Sequence, residues 1–575
     1  MSTRRGPGPS TSLLLAAVLV CAAFLRFAGL ARELPHRMEP DAFLVYELQA
    51  REGDPAFAAL GKFSDRYPSL IPRALALLPT PTIPAQADGP GDERAHLRAA
   101  ARPFVLVRAL VALASLASVA GTWFLARRFL SASAALAATF LAATSVLALL
   151  FSGQARPHAI QAAFALATVL AALRVRERPS FARIALAGVC ATAAAATLQN
   201  GLFAALPLAA GIALADGTGK KHRFVVAAGA PIAAVAVALF LFYPALPSID
   251  AQGIHLGSTD AGAHSIHPSL LGGLPVLVRL LWEHDPPLAI LALAGGILGL
   301  LRLRSVSREG ARALDLAVVL AYAVPYAGAL ALDPGVLDRF LLPLIPFLAC
   351  LAAGAVAWTL ERIAGEPSRG PRVALAILVG SACFLPPLWV AARFARLAAG
   401  EDTLERTADW ICDHVDPSTR ILTTPLTTLP LLVDAEDLRA DLEDPTEHAI
   451  PWMAYQRLLP ERLEGDVRWR IRIIPVAKRF DPHGMTSERA DRWIDETGAG
   501  YVLLEDLRAL RTEFGLDAFE RAAQERGDLA FEIPGDLPAP EDVGPVEYQG
   551  ARRLWVRLLG ARAFGPGVRI YRVRR

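Results

Sequence analysis

The chain has 575 residues, 54% of them hydrophobic and 20% charged, with a formal net charge of +3 and a mean hydropathy of +0.38. That is too long and too apolar for a single soluble domain. The basic residues are spread over many links instead of forming one face, so the small positive balance argues for membrane orientation and against a nucleic-acid partner.

The first apolar run, Leu13 to Leu30, follows Arg4 and Arg5 and is interrupted near its end by Arg26. No clear small-residue cleavage site follows it, and many more apolar runs do, so it reads as a retained signal anchor. From residue 11 to about residue 392 such runs recur at roughly the 20-residue length that carries a helix across about 30 Å of hydrocarbon. Eleven spans are expected, at about 11–30, 103–125, 131–151, 159–173, 184–198, 201–215, 224–243, 286–301, 315–331, 340–360 and 373–392. The links that carry two or more basic residues include Arg127-Arg128, Arg174 to Arg183, Lys220 to Arg223, Arg302 to Arg312 and Arg362 to Arg372. The short outer links around 152–158, 199–200 and 332–339 carry one or none, which satisfies the positive-inside rule. The two short halves meeting at Gln199-Asn200-Gly201 lie between basic flanks and fit a tight or re-entrant hairpin better than one long helix.

This topology turns three regions outward: loop 31–102, loop 244–285 and everything from 395 to 575. The expected division is a membrane domain over 1–394 and a soluble, mixed α/β extracytoplasmic domain over 395–575. In the latter, a helical stretch at Thr403 to His414 alternates with short apolar strands at Ile421-Leu422, Trp469 to Val476, Tyr501 to Leu504 and Val568 to Val573. Four of the five cysteines lie in apolar runs, so no disulfide or thiolate-metal framework is expected.

The charged residues that matter for function crowd the outer ends of spans. Loop 31–102 opens with Met38-Glu39-Pro40-Asp41 and carries Lys62, Asp65, Arg66 and Tyr67 between two amphipathic stretches, Phe43 to Leu48 and Leu70 to Leu78. Arg102 and Arg108 stand at the second span, Arg156-Pro157-His158 at the turn between the third and fourth, and Asp338-Arg339 at the start of the tenth. Charges this close to hydrocarbon are costly unless they snorkel, pair or bind something. An arginine cluster on one face suits an anionic lipid headgroup, because each guanidinium donates to two phosphate oxygens at once. Each residue also admits a structural use: a helix cap for Asp41, headgroup anchoring for Arg156 and Arg339, an ion pair with Arg37 for Glu39. The second outer loop holds His255, His264, His267, Glu283, His284 and Asp285. These types bind divalent metals, but their spacing matches no specific ligand pattern, so metal dependence stays open.

If the donor is a sugar on a polyprenyl phosphate, the leaving group is a stable phosphate and strong acid catalysis is less necessary. The acceptor hydroxyl still needs a base, which a carboxylate can supply, and cations would stabilise charge developing on the departing phosphate.

An ordered set of motifs resembles the membrane glycosyltransferases of the GT-C fold. It comprises Leu25-Arg26-Phe27 with Gly29-Leu30, the acidic motif, Tyr67-Pro68-Ser69-Leu70, Arg108, Leu125 to Phe129, Gln154-Ala155-Arg156-Pro157-His158 and Asp338-Arg339 through Pro346. Within that superfamily the chain is similar to bacterial relatives of the dolichyl-phosphate-mannose protein mannosyltransferases and to the lipid A aminoarabinose transferase. The resemblance implies an inverting transfer from a polyprenyl-phosphate sugar to a lipid, glycan or protein acceptor at the outer face of a bacterial cytoplasmic membrane. It implies that Asp41 is the catalytic carboxylate and that Arg339 lies near the donor phosphate; from their place at the outer face, Glu39 is expected as a second catalytic carboxylate and Arg156, His158, Lys62, Arg66, Tyr67 and Arg102 as further substrate-binding residues. Relatives commonly pair Asp with Glu in the first outer loop; here Ala42 follows Asp41 and the second carboxylate, Glu39, lies two residues earlier. A transporter or lipid flippase would call for paired repeats and mid-membrane charges, and a non-catalytic envelope-assembly protein would have no use for converging outer charges.

Overall fold

The computed structural model describes residues 9–34, 36, 68–75, 93–215, 220–243, 248–250, 253–256, 264–266, 269–306, 310–364, 370–423, 427–438, 456, 467–473, 486–506, 516–537 and 553–574. The chain divides into two compact units. The first is built from Met1–Ala28, Gly61–Leu78 and Arg108–Ala395, and the second from Gly29–Leu60, Pro79–Val107 and Arg396–Arg575.

The membrane helices follow the apolar runs. In chain order they are α1 (Pro9–Phe27), the short α2 (Leu70–Leu75), α3 (Glu93–Ala126), α4 (Ala132–Thr144), α5 (Val146–Ser152), α6 (His158–Glu177) and α7 (Phe181–Thr197). A 3-10 turn over Gln199–Ala204 leads into α8 (Ala205–Ala213), followed by α9 (Lys220–Phe242) and a small antiparallel sheet of β1 (Ser248–Asp250), β2 (Gly253–Leu256) and β3 (His264–Ile266). Then come α10 (Leu274–His284), α11 (Pro286–Val306), α12 (Gly310–Leu332), a second 3-10 segment (Asp338–Leu344), α13 (Ile345–Ala364) and α14 (Gly370–Ala398).

The expectation of eleven full crossings is corrected. Among the described residues seven helices are long and apolar enough to cross a membrane, and α4 with α5 makes an eighth if that pair, bent by 52°, is counted as one span. The remaining three apolar runs form helices over Phe181–Thr197, Gln199–Ala213 and Pro286–Leu301 that fall short of that length. At 1.5 Å per residue the 17 residues of α7 reach only about 25 Å. The backbone turns extended at Leu198, and Gly201 then packs where an added Cβ would meet the Ala194 carbonyl oxygen at 2.0 Å. Only glycine permits so sharp a return, which is why the hairpin folds at Gln199-Asn200-Gly201. Small residues serve the same end between neighbouring helices: a Cβ on Gly295 of α11 would meet the Leu351 carbonyl oxygen of α13 at 2.0 Å, the close approach that drives association without a hydrophobic effect. The chain is a polytopic helical membrane protein.

The C-terminal α/β region carries α15 (Thr403–His414), β4 (Ile421–Thr423), β5 (Ile471–Ile473), α16 (Ser487–Thr497), β6 (Tyr501–Glu505), α17 (Leu516–Arg526), β7 (Gly527–Ile533), α18 (Leu554–Gly560) and β8 (Val568–Val573). The strand order is β5-β4-β6-β8-β7; β5, β4 and β6 run parallel while β8 lies antiparallel to both β6 and β7. Leu422, Ile494, Val502, Phe519 and Tyr571 fill the layer between sheet and helices. Helix α15 starts on a capping box in which Asp402 and Glu405 each accept the other's backbone N–H. The buried His36 ring lies 3.1 Å from the other oxygen of Asp402. The four expected strands coincide with β4, β5, β6 and β8, and Ile474 to Val476, at the end of the second of them, lie outside the described residues. Strand β7 has no clear signal in Gly527-Asp528-Leu529-Ala530, where polar residues interrupt the alternation.

Candidate functional site

The first unit contains a broken membrane helix whose break is held by charge. Helix α4 ends at Thr144 and α5 begins at Val146, so carbonyls on one side and amides on the other lose their helical partners. Arg26, buried at the end of α1, donates from Nη1 to Ala143 O at 3.0 Å and from Nη2 to Ala142 O at 3.3 Å, while its Nε donates to Ser115 Oγ at 2.9 Å. On the other side Asp285 accepts from Val146 N at 2.7 Å, Leu147 N at 3.2 Å and the Ser145 hydroxyl at 2.8 Å. A cation thus sits on the carbonyl end of one half-helix and an anion on the amide end of the next, the arrangement the helix dipole favours. Beside Arg26 lies a cavity of about 20 Å³, lined in part by Ser115, Ser118 and Thr122. It is the size of one water and too small for a phosphate.

Helix α5 runs from this break to Gly153-Gln154-Ala155-Arg156, with Pro157 leading into α6. Against α5 and α6 packs the 3-10 segment that carries Asp338, Arg339 and Phe340. Here three of the expected substrate-binding residues converge. Arg156 and His158 are each 2% exposed and Arg339 is 9% exposed, and both guanidinium groups act electrostatically on the His158 ring. The His158 and Phe340 rings lie 5.7 Å apart. Neither ring nitrogen of His158 has a hydrogen-bond partner among the described residues, and the same is true of Nε and Nη1 of Arg339. Buried donors left in that state are expensive in a low-dielectric setting. Here such donors stand beside one another, within electrostatic reach of two guanidinium groups.

The 3-10 segment is tied down from three directions. Asn200 Nδ2 donates to the Tyr326 hydroxyl at 2.7 Å, and Tyr326 donates in turn to Phe340 O at 2.9 Å. One oxygen of Asp338 accepts the Arg339 N–H at 2.8 Å. The other lies 3.4 Å from His284 Nε2, an ion-pair contact too long for a well-formed hydrogen bond. His284 Nδ1 donates to Leu280 O at 2.8 Å. With a proton committed there, a second proton on Nε2 suits the carboxylate it faces. Burial alone would lower the His284 pKa, but the Asp338 contact and charge, the Leu280 carbonyl and the charge of Asp285 outweigh it, and the net shift is upward.

Of the other sequence-derived residues, Glu39, Asp41, Lys62, Arg66 and Tyr67 lie outside the described residues. Arg102 is exposed and belongs to the second unit. His284 and Asp285 were flagged as metal-binding types, but the structure commits them to Asp338 and to the α5 amides. His255 and His264 fall in β2 and β3, His267 lies outside the described residues, and no group of three or more His, Cys, Asp or Glu that could hold a metal ion occurs among the described residues. Asp338's grip on His284 escapes sequence reasoning, because the two residues are far apart in the chain and no pattern links them. The contact between Asn200 and Tyr326 is equally silent in sequence, since Asn200 reads only as part of a turn and Tyr326 sits in an apolar run.

The buried cluster of Arg156, His158 and Arg339 thus lies at the ends of helices in a polytopic membrane protein. The family model described as dolichyl-phosphate-mannose-protein mannosyltransferase matches residues 100–247, a minor part of the chain. No curated protein matches the sequence. Among solved structures, the Archaeoglobus fulgidus oligosaccharyltransferase in the apo form superposes with a TM-score of 0.48 and 13% identity, covering 92% of this chain and 73% of that one. The archaeal oligosaccharyltransferase AglB from the same organism, in complex with an inhibitory peptide and a dolichol-phosphate, gives 0.46 and 12%, covering 91% and 73%. ArnT from Cupriavidus metallidurans bound to undecaprenyl phosphate gives 0.44 and 13%, covering 89% and 95%.

Proposed function

We propose that the chain is an inverting glycosyltransferase of GT-C type that moves a sugar from a polyprenyl phosphate to a lipid, glycan or protein acceptor. The reaction takes place at the extracytoplasmic face of a bacterial cytoplasmic membrane, the side that also carries the C-terminal domain. The observation that carries this reading is the buried cluster of Arg156, His158 and Arg339. The unsatisfied donors of His158 and Arg339 within it suit the oxygens of a phosphate held at a membrane surface. The mannosyltransferase family model that matches residues 100–247, a range that includes Arg156 and His158, supports a phosphate-linked sugar as the donor.

In this scheme the two arginines and His158 bind the donor phosphate, with Lys62, Arg66, Tyr67 and Arg102 contributing to the headgroup and sugar. Asp41 accepts the proton of the acceptor hydroxyl as its oxygen attacks the anomeric carbon on the face opposite the phosphate, and Glu39 supplies the second carboxylate. The anomeric carbon–oxygen bond breaks with its electron pair leaving on the phosphate, where the guanidinium groups stabilise the charge that develops.

The test is sugar transfer from a synthetic polyprenyl-phosphate sugar by the full-length protein in proteoliposomes. Asp41→Asn is expected to abolish transfer while leaving donor binding intact. Wild-type turnover by that variant would remove Asp41 from the reaction.

A further inference from the structure

The corner His284-Asp285, which joins α10 to α11, holds the start of the helix that leads to Arg156 and the segment that carries Arg339. Asp285 holds the first turn of α5 through the amides of Val146 and Leu147 and the hydroxyl of Ser145. Ser145 in turn accepts from Ala148 N at 3.2 Å, so the carboxylate and the hydroxyl together cap the helix. Every residue of α5 is buried, and only Gly153, Gln154 and Ala155 separate its last residue from Arg156. His284 holds Asp338, whose other oxygen grips the backbone N–H of Arg339. Two adjacent residues therefore reach the two arginines by separate routes, a short one through Asp338 to Arg339 and a longer one through the buried helix α5 to Arg156.

We infer that His284 and Asp285 are positioning residues forming a two-armed clamp that sets the spacing of Arg156 and Arg339, and with it the affinity for the donor phosphate. The inference rests on the reading of that pocket as a phosphate site. A clamp of this kind has a physical rationale. Two guanidinium groups repel each other and gain nothing from the apolar helices around them, so their spacing must be imposed by backbone anchors. A rigid pair of anchors avoids the cost of ordering the site when the ligand arrives. His284 and Asp285 need not touch the phosphate to do this.

The experiment uses the full-length protein in nanodiscs, with undecaprenyl phosphate as the ligand and undecaprenol as its uncharged control. His284→Gln removes the cation facing Asp338, and Asp285→Asn keeps the shape but withdraws the charge from the α5 amides. Amide hydrogen exchange without ligand reads the clamp directly. Asp285→Asn is expected to speed exchange across 145–152, and His284→Gln across 338–344, each largely sparing the other segment. Each variant is expected to weaken undecaprenyl phosphate binding roughly tenfold, to raise the donor KM by more than it lowers kcat, and to leave undecaprenol binding unchanged. His284→Arg, which keeps a cation toward Asp338, should restore part of the affinity and serves if the Gln variant does not fold. Wild-type exchange in both segments, or faster exchange with unchanged phosphate affinity, would overturn the clamp. Failure of the wild-type protein to prefer undecaprenyl phosphate over undecaprenol would instead overturn the phosphate reading, and the exchange data would still judge the anchoring.

Discussion

The two ends of α6 hold buried polar side chains in opposite condition, although they belong to one helix about 30 Å long. At its C-terminal end Arg176 Nε meets Asp315 Oδ1 of α12 at 2.7 Å with both side chains buried. Arg128 pairs there with Glu177 and lies 4.0 Å from Asp315. At its N-terminal end His158 and Arg339 keep donors with no acceptor among the described residues. Burial is similar at the two ends and pairing is not, the contrast expected if one end is scaffold and the other is the proposed site. Where the protein needs only stability it supplies the counter-charge itself, and where it leaves the counter-charge out a ligand can provide it.

The comparison can be broken most sharply at the closed end. Asp315→Ala removes the buried carboxylate that Arg176 meets at 2.7 Å and should cost about 3–5 kcal/mol of stability, read as a lower thermal unfolding midpoint with undecaprenyl phosphate affinity unchanged. At the open end Arg339→Ala should do the reverse. It removes two or so charge-assisted hydrogen bonds to phosphate, each about 1.5–3 kcal/mol, so donor affinity should fall by about 100-fold or more while the unfolding midpoint holds or rises. A loss of stability as large as that of Asp315→Ala would place Arg339 in the scaffold.

A third test concerns the anchor between the two kinds of residue. The pKa of His284 is raised in the folded protein, Asp338 and Asp285 being the charges that act on it, so protonation favours the folded state. Its contribution is complete below the ordinary histidine value of about 6.5 and is lost as pH rises through the raised folded value. The stability difference between wild type and His284→Gln should therefore be greatest at mildly acid pH and shrink on the alkaline side. A difference that grows with pH would contradict the ion pair with Asp338. The smallest effect is expected for Glu177→Gln, because Glu177 is 41% exposed and its pair with Arg128 is open to solvent screening. It should cost about 0–1 kcal/mol, less at high salt.

Much of the membrane architecture is legible in one dimension. The length of an apolar run and the placement of arginine at its ends are local properties, so α1, α3, α6, α9, α12, α13 and α14 all lie over runs read from composition. Arg156, His158 and Arg339 were also legible as candidates, because a charge beside a span is conspicuous wherever it occurs. The turn at Gln199-Asn200-Gly201 was legible too, but the break at Ser145 was not. Residues 131–151 form a continuous apolar run, yet the helix bends by 52° at Ser145. Apolarity does not record which carbonyls and amides will find partners from distant segments. The same limit explains the count of spans, since hydropathy measures the run while Gly201 and Leu198 decide where the helix stops.

His284 and Asp285 show the limit most clearly. Their residue types raised the question of a metal, but type alone cannot distinguish a ligand from a cap, because both roles ask for a carboxylate or an imidazole with a free lone pair or proton. The sequence by itself determined that this chain crosses a membrane many times and keeps cations at the ends of its spans, for those features depend only on the order of apolar and charged residues. Tertiary structure decided which cations are paired and which are left open, and which backbone ends Arg26 and Asp285 hold. Those outcomes depend on distances between residues far apart in the chain, and no local pattern encodes them.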